Sequence, residues 1–236
     1  ILPGLGIVTE VIANNTRKPI WGYRAMVYSV LAIGFLSMVV WAHHMYVTGM
    51  GMGISMFFQT TTTIISIPSV IIVTCLMLSL WGGSIRFNVP MLFAVAFLPM
   101  FGIGGLTGLP LALSMADLAL HDSYYIIGHF HYVVAPGTIF AVFAGIYYWF
   151  PKVTGRLMNV RLGQVHFWGS LVCMNLIFFP MLAQGFAGMG RRTYDGGQNY
   201  AAVHPANEGV IGSVSEAMMH LHDVIAWSAL ALALFQ

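Results

Sequence analysis

Charge is the scarcest commodity in this 236-residue sequence: only 7% of its side chains are Asp, Glu, Lys or Arg, where a soluble domain carries roughly 25%. A chain so poor in charge cannot clothe a water-facing surface, which excludes a cytosolic enzyme and a disordered segment. Nine basic and seven acidic residues leave a net charge of +2. That is too little for a polyphosphate-binding face, so nucleic acid is excluded as a partner. Cysteine is nearly absent. Cys75 and Cys173 both lie in apolar runs and read as small core residues, not as a disulfide framework. Residues 1–13 begin abruptly at ILPG, with no initiating Met, basic leader or cleavage site, so they are not a signal peptide. The other end stops at LALALFQ with no polar flank. Both ends therefore read as truncated, as expected for the interior of a longer protein or one piece of a split one. Internal repeats and low-complexity linkers are also missing, which predicts a single membrane domain over residues 1–236.

What the chain has instead is apolar length. Hydrophobic residues make up 58% and aromatics 14%, with a mean hydropathy of +0.83. A spanning helix needs about 20 mostly apolar residues. Six such runs occur, at 20–42, 56–81, 90–113, 123–150, 163–187 and 214–235. The expectation is an all-α polytopic membrane protein with six full transmembrane helices and, in residues 1–13, the end of another. Loop charges orient it. If successive loops alternate sides, Arg17, Lys18, Arg24, Arg86, Lys152, Arg156 and Arg161 share one side. The other holds only Arg191 and Arg192, together with Asp117, Asp122, Asp195, Glu208 and Glu216. The first side is then cytoplasmic, or faces the mitochondrial matrix.

Nine histidines in so apolar a chain demand partners, because a polar group in lipid is costly unless it is satisfied. Two clusters stand out, WAHHMY (41–46) and HDSYYIIGHFHYVV (121–134). On an α-helix His129 and His131 are about 200° apart, so they cannot grip one metal but can hold separate groups on opposite faces. Haem iron accepts a neutral imidazole as axial ligand; core histidines bonded to neighbouring helices are the plainer alternative. His43 and His44 are adjacent and converge on one ion only where the backbone unwinds near a helix end. Imidazole ligation there suits copper, zinc or iron, and an interfacial pair in an aromatic belt is the alternative. His121 and Asp122 form a hard-ligand pair suited to Mg²⁺ or Mn²⁺, unless Asp122 merely favours the positive end of the following helix. Arg191 and Arg192 break the charge bias of their side. They call for an anionic partner, which could be haem propionates or, within the chain, Asp195 or Glu208. His220 and His222, near Asp223, read as structural, and His166 and His204 as boundary and loop residues.

Together these clusters resemble subunit I of the haem–copper oxidases, the cytochrome c oxidase type. The strings that carry the resemblance are WAHHMY at 41–46, GGLTG at 104–108, HDSYYIIGHFHYVV at 121–134, WFPKVTGR at 149–156 and GMGRR at 188–192. They stand in family order and cover nearly the whole chain. The resemblance implies the C-terminal portion of a twelve-helix bundle, from the end of the sixth helix into the twelfth. It implies His43 and His44 as copper ligands, His129 as axial ligand of a high-spin haem and His131 as one axial ligand of a low-spin haem. His121 and Asp122 would be the Mg²⁺-site pair, and Arg191 and Arg192 partners of the propionates. Also implied are reduction of dioxygen to water, a copper-bearing second subunit among the partners, cytochrome c or a similar donor, and a bacterial plasma membrane or mitochondrial inner membrane. The family's remaining copper and low-spin haem ligands lie upstream of this chain.

One position departs from the family. Ile72 stands where its closest members carry a proton-conducting lysine, and no Lys, Asp or Glu carboxylate relay lies between Arg24 and Asp117, where Arg86 is the lone charge. Ser69 and Thr9 keep hydroxyls on that route. A nitric oxide reductase on an oxidase-like frame and a proton-coupled transporter remain as alternative functions.

Overall fold

Proline, glycine and a few capping side chains decide where each apolar run becomes helix. The computed structural model describes residues 1–193, 208–209, 212–213 and 216–236, and the side chains of residues 1–193 and 220–236. Asp195 and His204, and the side chains of Glu208 and Glu216, lie outside the described residues.

Helix α1 spans Leu2–Thr16 with Pro3 in its first turn, where the missing N–H has no helical partner to lose. Helix α2 spans Tyr23–Val39 and passes into a 3-10 helix over Trp41–Thr48. The apolar run at 56–81 becomes two helices, α3 (Met52–Ile64) and α4 (Ser66–Leu80). Pro68 explains the break: it has no N–H to give the Ile64 carbonyl, and the next amide bond, Ser69 to Ile65, is stretched to 3.4 Å. Helix α5 (Val89–Ala112) starts at Asn88, whose side chain accepts from the Met91 amide at 3.1 Å. Helix α6 is short, Ser114–Leu120. Helix α7 (Tyr124–Val134) is capped by Ser123, whose hydroxyl accepts from the Tyr125 amide. It widens into a π turn over Ala135–Phe140, where Pro136 cannot donate to the Tyr132 carbonyl, and continues as α8 (Ala141–Thr154). Helix α9 (Val160–Phe186) is capped by Asn159, which accepts from the amides of Arg161 and Leu162. Side-chain caps of this kind satisfy first-turn amides that have no helical acceptor. Two-residue strands β1 (Glu208–Gly209) and β2 (Gly212–Ser213) pair antiparallel before α10 (Glu216–Phe235).

Five helical stretches are long and apolar enough to cross a membrane: Tyr23–Thr48, Met52–Leu80, Val89–Ala112, Tyr124–Thr154 and Val160–Phe186. The sixth expected span is present as α10, whose described apolar part, His220–Phe235, is shorter. The architecture is thus the all-helical one expected from the six runs.

Helix α5 is the hub. Met91, Phe93, Ala94 and Phe97 are fully buried on it, and it packs against α7, α8 and α1. Helix α7 lies between α5 and α9, and α9 in turn carries α10. Gly4 lets α1 rest on the π turn: a Cβ there would fall 2.1 Å from the Gly137 carbonyl oxygen.

The loops grouped by charge meet at common ends of the bundle. At the basic end, the Ser84 and Arg86 amides donate to the carbonyls of Thr16 and Asn15, and the Asn88 side chain donates to Asn15 at 2.8 Å. At the other end, the Arg191 amide donates to the Asp122 carbonyl at 2.8 Å, and Tyr124 to Met189 at 2.9 Å.

Candidate functional site

The helix carrying the paired histidines is gripped on two sides, and each side takes one imidazole. His129 faces α5. Its Nδ1 lies 3.0 Å from the Gly104 carbonyl and 3.1 Å from the Thr107 hydroxyl. Both acceptors belong to the GGLTG segment, which brings Gly108 so close that a Cβ there would sit 2.7 Å from His129 Cε1. His131 faces α9. Its Nδ1 lies 2.8 Å from the Ile127 carbonyl, and its ring stacks between Phe130 and Phe178, with centroids at 4.3 and 4.9 Å. In each ring Nδ1 carries the hydrogen, because a backbone carbonyl can only accept. The Nε2 lone pairs are then free, and neither meets a partner among the described residues. Imidazoles so oriented are suited to metal ligation, which needs a fixed tautomer and a bare nitrogen.

The adjacent pair His43–His44 sits where the backbone leaves α-geometry for the 3-10 helix. The two rings meet edge to face at 4.2 Å between centroids, with their Nε2 atoms 3.0 Å apart. Thr62 of α3 holds His43 through Nδ1 at 3.1 Å. Two imidazole nitrogens facing one small region form half of a tetrahedral or square metal site. Among the described residues no three His, Cys, Asp or Glu side chains cluster as a complete metal site.

The third group is on the outer end. His121 Nδ1 lies 3.3 Å from the Asp117 carboxylate and His121 Nε2 3.9 Å from Asp122. Arg191 approaches Asp122 at 2.5 Å and Arg192 at 3.8 Å. Among the described residues the arginines thus have an acidic partner in Asp122; Asp195 and the Glu208 side chain lie outside them. This turn is conformationally tight: Asp122 and Arg192 adopt φ of 52° and 64°, and a bridge between Ser123 and Gly190 holds the two strands of chain together. Arg191 still has a buried Nε with no hydrogen-bond partner among the described residues, so the guanidinium can take a further anion.

Asp117 is a residue that sequence reasoning placed only as a loop acid. It is 4% exposed, and burial holds its carboxyl above the ordinary carboxylate range, against the pull of neighbouring His121. His166, read as a boundary residue, lies in the second turn of α9. It is hydrogen-bonded to Tyr147 at 3.0 Å and packed on Phe93 and Phe143. His222 contacts the Tyr124 ring and His220 lies 3.8 Å from Asp223. Ile72 is fully buried. The hydroxyls of Ser69 and Thr9 donate to carbonyls four residues back, Ile65 at 2.9 Å and Leu5 at 2.6 Å.

This arrangement of spans is shared with a heme-copper terminal oxidase dimer solved by cryo-electron microscopy. It superimposes with a TM-score of 0.77 over 92% of this chain and 40% of that one, at 20% identity, which defines the fold class. The sequence decides the family. The family described as Cytochrome C and Quinol oxidase polypeptide I matches residues 1–228, and the chain belongs to it. Among curated relatives it is 50% identical over 192 residues to cytochrome c oxidase subunit 1 of Synechocystis sp., covering 81% of this chain and 35% of that protein. It is 46% identical over 192 residues to cytochrome c oxidase subunit 1 of Candida albicans, covering 81% and 36%. The chain thus spans about a third of the length of these relatives.

Proposed function

We propose that this chain forms the C-terminal part, as a single membrane domain, of the catalytic subunit of a haem–copper terminal oxidase that reduces dioxygen to water. One observation carries the reading. On a single span, His129 and His131 turn to opposite sides, each with Nδ1 engaged by a carbonyl and Nε2 free.

His129 would hold the high-spin haem and His131 the low-spin haem. His43 and His44 would supply two ligands to copper, and Arg191 and Arg192 would receive the propionates. The residues present fit these groups: the imidazoles offer bare nitrogens, and Arg191 keeps an unsatisfied buried donor. His121 and Asp122 offer the imidazole and carboxylate of a Mg²⁺ or Mn²⁺ site. When bound, the haems and copper supply the electrons for breaking the O–O bond.

The chain's own contribution is orientation. Gly104 and Thr107 fix the His129 tautomer and plane, Thr62 does the same for His43, and the stack of Phe130 and Phe178 fixes His131. Shells of this kind raise ligand basicity and set geometry. Proton delivery cannot use an ionisable group at position 72, so the Ser69 and Thr9 hydroxyls, each with acceptor lone pairs left, and water carry it. The implied setting is a bacterial plasma membrane or mitochondrial inner membrane, with a copper-bearing subunit and cytochrome c or a similar donor as partners.

The test is turnover by the purified complex with dioxygen and then nitric oxide as acceptor. Rapid dioxygen consumption with little nitric oxide uptake is expected. Nitric oxide consumption with little dioxygen uptake would overturn the assignment.

A further inference from the structure

Near the C-terminal end of α7 and midway along α9, a tyrosine hydroxyl meets a carboxamide. Tyr132 is fully buried, and its hydroxyl donates to Asn175 Oδ1 at 2.9 Å. Asn175 is itself held: its amide donates to the Leu171 carbonyl at 2.8 Å and lies 3.9 Å from the Met100 sulfur of α5. This buried polar contact links three helices, α7, α9 and α5. Helix–helix hydrogen bonds in apolar surroundings are directional as well as stabilising. Tyr132 follows His131 and lies one turn after His129, so any rotation of α7 that breaks its bond to Asn175 also turns both imidazoles.

The coupling to His131 is visible in the packing. Phe178 lies three residues beyond Asn175 on α9, on the same face. It stacks on the His131 ring at 4.9 Å with planes 30° apart, and meets Tyr132 edge to face at 5.7 Å. From α7 itself come the Nδ1 contact to Ile127 and the Phe130 ring, stacked at 4.3 Å. The other side of the ring is set by Phe178, hence by where α9 sits against α7.

We propose that Tyr132 and Asn175 are a positioning pair: their hydrogen bond fixes the rotation of α7 against α9 and, through Phe178, the plane of the His131 imidazole. The proposal rests on the reading of His131 as a haem ligand. The plane of an axial imidazole shapes the electronic structure of low-spin ferric haem, so its g-values in electron paramagnetic resonance report the ring directly. A pair that only stabilised the bundle would leave them untouched.

The experiment compares the low-spin signal of the assembled complex in wild type, Tyr132→Phe, Asn175→Leu and the double variant, with His131→Ala as control. Tyr132→Phe removes a single oxygen and is the variant expected to assemble fully. The expected result is a shifted largest g-value at normal haem content in each single variant, in the same direction. The double variant should show no further shift, because both changes remove one interaction. Unchanged g-values in Tyr132→Phe, with the signal lost in His131→Ala, would overturn the positioning role alone. A low-spin signal that survives His131→Ala would overturn the ligand reading beneath it. Additive shifts in the double variant would show two separate effects and also refute the pair.

Discussion

Gly108→Ala is a one-carbon change aimed at the His129 ring. The added Cβ would lie 2.7 Å from Cε1 and 3.5 Å from both ring nitrogens. Carbon atoms pack best at about 3.5–4.0 Å, so the ring must retreat by about 1 Å. His129 is anchored by contacts of 3.0 Å to Gly104 and 3.1 Å to Thr107. A retreat of that size stretches both toward about 4 Å, beyond the ~3.2 Å range of a hydrogen bond. Overpacking of this sort costs about 1–3 kcal/mol of stability, which an intact complex can tolerate. The catalytic effect is larger, since a displacement of about 1 Å in a reacting assembly can cost roughly 100-fold in rate. The assay is dioxygen turnover with the optical spectrum of each haem. Turnover is expected to fall by about two orders of magnitude, with the high-spin signal perturbed and the low-spin signal intact. Wild-type turnover with an unchanged high-spin spectrum would refute the placement of His129 against Gly108.

Other perturbations address the remaining groups. Thr62→Val removes the partner of His43 Nδ1 and should weaken copper binding by about 10–100-fold, read as copper per complex after dialysis against a chelator. Asp122→Asn removes the charge that Arg191 and Arg192 share; bound Mn²⁺, read by its paramagnetic signal, should fall at least about tenfold. Asp117 gives a pH signature. Its carboxyl is raised from 3.8 in the folded chain by burial, so the folded state binds more protons than the unfolded one across that window. Stability from this group is then lost as pH rises through it. Asp117→Asn should flatten this part of the pH–melting profile, and an unchanged slope would assign the raised carboxyl no role in stability.

Much of the site was legible because helical geometry is rigid. The two-residue spacing of His129 and His131 forces opposite faces, and the structure gives one ring to α5 and the other to α9. Convergence of His43 and His44 required unwound backbone, and a 3-10 helix is found there. What stayed hidden depends on contacts between segments distant in sequence. Asp122 as partner of Arg191 is set by how the turn before α7 meets the end of α9, which no local pattern encodes. The orienting roles of Gly104, Thr107 and Thr62 likewise need the packed bundle, although GGLTG was conspicuous as a string. Pro68 and Pro136 interrupt their helices, whereas the hydropathy of the runs is continuous through them. The contacts of His166 with Phe93, Phe143 and Tyr147 likewise depend on how α9 meets α5 and α8.

The central claim is that one span holds two different haems on its two sides. The measurement that tests it most directly is the reduced-minus-oxidised spectrum of the purified complex carrying His129→Ala or His131→Ala. The account predicts complementary losses: His129→Ala abolishes dioxygen chemistry and leaves the low-spin spectrum, while His131→Ala removes the low-spin signal. Spectra unchanged in both variants would contradict it.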